Sequence, residues 1–342
     1  MQRIKVVLVG MGHMGRNHYR VLSEDPRFEL LAVVDPVLES LPVQGRPLPL
    51  LRDLKSALAL DFTLAVVAAP TELHATLVRD LLEAGRHVFV EKPAASTETE
   101  ARQLVELAEA RGLALAVGNI ERCNPVVQAL REVVQSQILG RIVHIHGLRA
   151  GGFPRNVKTG NNVILDLAVH ELDVFRMLLG PMDILHSLAH ATKQLGIYDA
   201  AEIIVRSAQG ASGTVHVNWL TPQRLRTIRV TGDAGVAHVD YLAQTLELVG
   251  FELNERASQA FPTLEWQRDA QGLERAQLPI ISQESLKNQL QQLYCYLTGQ
   301  AHHLAIGEEL VESVQLVADA VRLADEAWIL GRSRSEMEQV NL

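Results

Sequence analysis

Ile4-Lys5-Val6-Val7-Leu8-Val9-Gly10-Met11-Gly12-His13-Met14-Gly15 is the stretch on which the fold is decided. Ile4–Val9 is apolar and β-branched, which predicts a strand covered on both faces. Helix-like sequence follows Gly15 through Leu22. Between a strand and a helix the three glycines have separate uses. The first allows a tight turn, the second lets backbone approach a pyrophosphate, and the third lets helix and strand pack closely. Free N–H groups and the positive dipole end at the helix start favour an anion there. A glycine-rich turn alone is common to many loops, but Asp35 supports the reading. It ends a second apolar strand, Glu29–Val34, and lies 20 residues past Gly15. A carboxylate there accepts hydrogen bonds from both hydroxyls of an adenine ribose and repels a 2′-phosphate. Pro36 follows it, not an arginine, so the expected cofactor is NAD.

Working outward, the alternation continues. Phe62–Ala69 reads as a strand broken at Pro70, and Thr71 caps a helix through Leu82 to Gly85. Val88-Phe89-Val90-Glu91-Lys92-Pro93 ends another strand, because proline cannot donate to a ladder. Lys92 is then either a lysine at a loop start, where most lysines stand, or a residue at the carboxyl edge where open α/β sheets bind ligands. Ser96 or Thr97 opens a helix from Glu98 to Arg111, and Leu113–Val117 is a last strand. Strand and helix repeated in this order mean a doubly wound parallel sheet. The expected cofactor contacts are Gly10, Gly12, His13, Met14, Gly15, Asp35, Ala69, Pro70, Thr71, Glu91, Lys92 and Asn119. His74 is a further candidate just past a strand end, although a packed or exposed helix residue is the simpler reading.

The totals set limits. A chain of 342 residues exceeds a single core by default, so two domains are expected. A formal net charge of −8 argues against nucleic acid or an anionic membrane as partner. Two cysteines are too few for a disulfide framework. No apolar run reaches the ~18 residues of a membrane span, and Ile4–Val9 is shorter than the roughly 7–15 apolar residues of a signal peptide. The expectation is a cytoplasmic protein.

After Asn119 the character changes. Asn124-Pro125 starts a helix, and Arg141–Gly147 alternates like a strand with one wet face. A glycine-rich basic loop follows, carrying Arg149, Arg155 and Lys158. It is either a solvated loop or a phosphate grip, since arginine's planar fork binds phosphate bidentately. The next helix places Asp166 and His170 four apart, on one face. A carboxylate beside an imidazole can act as orienter and general base, or be a simple surface pair. No histidine or cysteine cluster at ligand spacing lies nearby, so no metal is expected. From Asp183 to Val249 short alternating segments separated by turns predict a largely antiparallel sheet, hence an α+β domain. Ser282–Thr298 and Glu308–Leu330 read as helices.

Gly10-x-Gly12-x-x-Gly15, Asp35, Glu91-Lys92-Pro93 and Asp166-x-x-x-His170, in this order, resemble the Gfo/Idh/MocA oxidoreductases over nearly the whole chain. The resemblance implies an N-terminal Rossmann domain at 1–119, an α+β substrate and oligomerisation domain at 120–305, and a C-terminal helix at 306–342 packing back on the first. It implies that Lys92, Asp166 and His170 work at the sugar carbon that loses hydride, with either His170 or Lys92 as the base. Asn119-Ile120-Glu121-Arg122-Cys123-Asn124-Pro125 and the Phe153–His170 region are similar to the branch acting on the 3-hydroxyl of UDP-N-acetylglucosamine. Cys123 stands where that branch has phenylalanine. The implied substrate is a UDP-sugar contacted by Lys92, Glu121, Arg122, Arg149, Arg155, Asp166 and His170, in a homodimer or homotetramer. Other sugar or polyol dehydrogenases of the family, or an NAD-binding regulator without chemistry, are the alternatives.

Overall fold

The structure, a computed structural model, describes residues 3–41, 47–154, 157 and 161–340. It divides into two units, one of residues 1–123 and 284–315, the other of residues 124–283 and 316–342.

The first unit holds six parallel strands: β1 (Ile4–Val9), β2 (Phe28–Val34), β3 (Leu50–Leu51), β4 (Leu64–Val67), β5 (His87–Val90) and β6 (Leu115–Val117). Their order is β3-β2-β1-β4-β5-β6. Between them run α1 (His13–Glu24), α2 (Leu54–Leu58), α3 (His74–Glu83) and α4 (Glu98–Ala110). Side chains along a strand point alternately to opposite faces, and here each face has its own core. Val7, Val9, Ala65, Val67, Val88 and Val90 join one cluster, with Leu81 and Leu82 of α3 and Leu104 of α4. Val6, Leu8, Leu64, Val66 and Phe89 join the other, with Tyr19 and Leu22 of α1. Continuous apolar runs are therefore the right sequence for these strands, because neither face meets water. Thr97 and Glu100 form a capping box that starts α4. The strand order reverses between β1 and β4, and the carboxyl ends there border the crevice where such sheets bind ligands.

The second unit is built on nine strands: β7 (Ile142–Gly152), β8 (Met182–His190), β9 (Ala200–Ser207), β10 (Ser212–Asn218), β11 (Leu220–Gly232), β12 (Gly235–Asp240), β13 (Thr245–Gly250), β14 (Gln267–Arg268) and β15 (Glu274–Leu278). The order is β14-β15-β13-β12-β11-β7-β10-β9-β8. Every pair is antiparallel except β7 with β10. α5 (Pro125–Gln135) and α6 (Val169–Leu179) give apolar residues to its single core, and a short α7 (Leu253–Ala257) closes the far end. The strands of this sheet alternate, as in β9, where Ala201, Ile203 and Val205 are buried while Glu202, Ile204 and Arg206 are exposed.

Two last helices complete both units. α8 (Ser285–Leu297) adds Leu286, Leu290 and Leu293 to the α1-side core of the first unit. α9 (Gly307–Val340) gives Leu310, Val311 and Val314 to the first unit's other core, and Leu316, Val317 and Ala320 to the second unit's. The division thus departs from boundaries at 119 and 305. Residues 284–305 belong with the nucleotide-type sheet, because its α1 face is incomplete without α8.

Candidate functional site

The glycine turn is built as its spacing requires. Gly10 has φ +95°, and a Cβ there would lie 2.6 Å from the carbonyl oxygen of Ala68. A Cβ on Gly15 would lie 2.1 Å from the carbonyl oxygen of Gly10, so helix and strand touch backbone to backbone. Gly12 faces open space, with nothing within 4 Å of its Cβ position. It caps α1 without a side-chain hydrogen bond, and no acidic residue stands in the first turn. That leaves an exposed, anion-favouring helix start lined by Gly12 and His13. Asp35 is already oriented. Its Oδ2 accepts the Met11 N–H at 2.9 Å, and Oδ1 accepts those of Val37 and Leu38 at 2.9 and 2.7 Å. Burial alone would raise its pKa, but these three N–H groups and the Arg52 charge hold it below the usual carboxylate value. Arg52 donates to the Leu38 carbonyl at 2.5 Å, bracing the same turn. These residues fit a dinucleotide with free ribose hydroxyls. Ala69 and Thr71 are half-buried and Pro70 is exposed at the end of β4.

Five of the candidates, His74, Glu91, Asn119, Glu121 and Arg122, are buried. His74 is 1% exposed, with Nδ1 2.8 Å from the Pro93 carbonyl oxygen and Nε2 2.9 Å from that of Ala69. Both ring nitrogens are engaged, so His74 ties the segments after β4 and β5 together. Glu91 likewise turns inward: its carboxylate meets His18 Nε2 at 2.6 Å and takes the Lys92 N–H at 3.3 Å. Lys92 itself is half-buried, and its peptide bond to Pro93 is cis. Asn119 is buried and accepts the Arg122 N–H at its carbonyl. A 3₁₀ turn, Ile120–Cys123, follows it. Arg122, 2% exposed, pairs with Glu309, and Glu121 is buried at 5% exposed. Cys123 is buried in the α8-side core and forms no disulfide, and its carbonyl accepts Asn288 Nδ2 at 3.2 Å.

In the second unit, Asn162 Oδ1 accepts the N–H groups of Ile164 and Leu165 at 2.9 and 3.0 Å, starting the segment that carries Asp166 and His170. Ile164–Ala168 is a single π-helical turn that passes into α6. Asp166 stands in that turn and His170 in the first turn of α6, both half-buried. The wider turn replaces the uninterrupted α-helix expected, and π-bulges recur at functional sites. Arg149 does not belong to the basic loop. It points inward from β7, is 2% exposed, donates from Nε to Glu171 Oε1 at 2.7 Å and stacks over Tyr241 at 5.5 Å. Tyr241 donates its hydroxyl to Glu171 Oε2 at 3.0 Å. The buried guanidinium balances the buried Glu171 carboxylate. Arg155 and Lys158 lie outside the described residues. No group of His, Cys, Asp and Glu suited to a metal occurs among the described residues, and no helix there is long and apolar enough to cross a membrane.

Two residues had no place in the sequence expectation. His18 falls with Gly15, Tyr19 and Leu22 on the buried stripe of α1, and a histidine on an apolar stripe was the available signal. Glu171 is fully buried although it follows His170 directly, and only the partners reveal why.

Residues 4–119 match the profile of the oxidoreductase family with NAD-binding Rossmann fold, and residues 127–238 match the Gfo/Idh/MocA C-terminal domain. The chain is 28% identical over 262 residues to the UDP-N-acetylglucosamine 3-dehydrogenase of Acidithiobacillus ferrooxidans, covering 72% of this chain and 77% of that protein. It is 29% identical over 232 residues to inositol 2-dehydrogenase 4 of Saccharopolyspora erythraea, covering 63% and 67%. The solved structure of the A. ferrooxidans enzyme superposes with a TM-score of 0.77 at 20% identity, over 95% of this chain and all of that one.

Proposed function

Since the chain belongs to the Gfo/Idh/MocA oxidoreductases and is an NAD-binding enzyme of that family, we propose that it oxidises the 3-hydroxyl of UDP-N-acetylglucosamine to the 3-keto nucleotide sugar. The observation that carries this reading is the likeness to the A. ferrooxidans enzyme through both domains. NAD⁺, held by Gly10–Gly15 and Asp35, supplies the hydride acceptor. His170 accepts the hydroxyl proton, its imidazole being the side chain whose ordinary pKa lies nearest neutrality. Lys92 hydrogen-bonds the reacting oxygen through Nζ and stabilises charge developing there. Asp166 orients His170 or a neighbouring hydroxyl. A second copy of the chain covers the wet face of the nine-stranded sheet, giving a homodimer or homotetramer.

The test is growth of the NADH absorbance band with a panel of UDP-sugars, inositol and glucose. Turnover confined to UDP-N-acetylglucosamine supports the reading. Turnover with free inositol would instead follow the S. erythraea relative. Lys92→Met and His170→Ala should each lower kcat by about 100-fold or more, leaving NAD affinity intact. Wild-type kcat in both variants would sink the residue roles.

A further inference from the structure

Behind Lys92 lies a buried pair that no step above uses. His18 is 0% exposed on α1, three residues past the last glycine of the cofactor turn. Its Nε2 stands 2.6 Å from Glu91 Oε1, and its ring meets Phe89 of β5 edge-on at 5.7 Å. Glu91 is 7% exposed, and its second oxygen takes the Lys92 N–H at 3.3 Å. The carboxylate fits because position 118 is glycine: a Cβ there would lie 3.1 Å from Glu91 Cδ. His18 Nδ1 is buried and meets no hydrogen-bond partner among the described residues.

This is a poor way to stabilise a fold. A buried ionisable pair with one nitrogen unsatisfied costs stability that an apolar pair of similar volume would not. Its position suggests another use. α1 starts at the glycine turn, β5 ends at Val90 just before Glu91 and Lys92, and Gly118 after β6 makes the room. We propose that His18 and Glu91 are positioning residues, fixing the backbone of Lys92 relative to the cofactor-binding helix so that Nζ reaches the reacting oxygen. One Glu91 carboxylate oxygen faces His18 Nε2 and the other faces the Lys92 N–H. The proposal rests on the role given to Lys92.

The test compares His18→Leu, His18→Gln, Glu91→Gln, the pair replacement His18→Leu/Glu91→Met, and Lys92→Met as reference. The readouts are kcat and KM, the pH profile of kcat/KM, NAD affinity, thermal midpoint, and the ¹³Cε resonance of Lys92 in lysine-labelled protein titrated without substrate. A displacement of about 1 Å at a reacting group costs on the order of 100-fold in rate. That is the expected fall in kcat for His18→Leu and Glu91→Gln, with NAD affinity held and the Lys92 resonance and pH profile moved. The pair replacement should keep or raise the thermal midpoint while staying slow, which a purely structural pair would not do. His18→Gln, which keeps a nitrogen donor near the Nε2 position, should recover most of the rate. Wild-type kcat, pH profile and Lys92 resonance in His18→Leu and Glu91→Gln, beside an inactive Lys92→Met, overturn this proposal alone. Full activity of Lys92→Met overturns the role of Lys92 and the proposal with it.

Discussion

Asp35 shows how one residue serves both fold and cofactor. Three backbone N–H groups bind its carboxylate before any ribose does, leaving room for further acceptance. Its folded pKa lies below the unfolded value, despite burial, because of those N–H groups and Arg52. The stabilisation is therefore complete above the ordinary carboxylate value and is lost as pH falls through the lower folded one. Thermal midpoints measured from neutral pH into acid should fall less steeply for Asp35→Asn than for wild type, and NAD should bind Asp35→Asn more weakly at neutral pH. Equal slopes would show that the turn draws nothing from this charge. The glycines separate the two roles further. Gly15→Ala drives a methyl against the Gly10 carbonyl and should lower the thermal midpoint even without cofactor. Gly12→Val meets open space, so it should melt near wild type while losing NAD affinity, as titration of protein fluorescence would reveal.

The elements of the first sheet were legible because their chemistry is local. Six short strands with both faces dry leave continuous apolar runs, and Gly10, Asp35 and Pro93 mark their carboxyl ends. The π turn at Asp166 was not legible, since an Asp-x-x-x-His spacing is the same in an α-helix and in a wider turn. Arg149 was misplaced by composition: it sits next to a glycine-rich basic stretch, yet it continues the inward series Ile145, Gly147, Arg149 on β7. Period two pointed to the interior, while charge pointed outward, and the deciding partner, Glu171, is on another element. Because Glu171 is fully buried, removing its counterion leaves an uncompensated charge. Arg149→Met should cost about 3–5 kcal/mol in chemical denaturation, against about 1.5–3 kcal/mol for Tyr241→Phe, which removes one hydrogen bond to the same carboxylate. A neutral Arg149→Met would mean that Glu171 finds other compensation.

Across the whole molecule, the nine-stranded sheet keeps one dry and one wet face. On the wet face a row crosses the sheet through Ile204, Thr214, His146, Arg229, His238 and Glu247. Burial, with Arg229 adding to it, lowers the pKa of His146 and His144, and burial also lowers that of His238. Their contribution is present above the ordinary imidazole value and fades as pH falls below it, since the unfolded chain binds those protons more readily. The thermal midpoint should therefore decline from neutral pH towards pH ~5, and more gently in His146→Gln. A flat profile for wild type would remove these histidines from the stability of the sheet. The partition of the chain has a consequence for its synthesis. The first unit opens with residues 1–123 but takes in 284–315 only later. Until Leu286, Leu290 and Leu293 leave the ribosome, the α1 side of the six-stranded sheet lacks the helix that closes it. At about 5–20 residues per second that interval is roughly 10–40 s. An early sheet with one bare flank is a natural client for a chaperone, and the second unit, which takes in residues 316–342, is completed last of all.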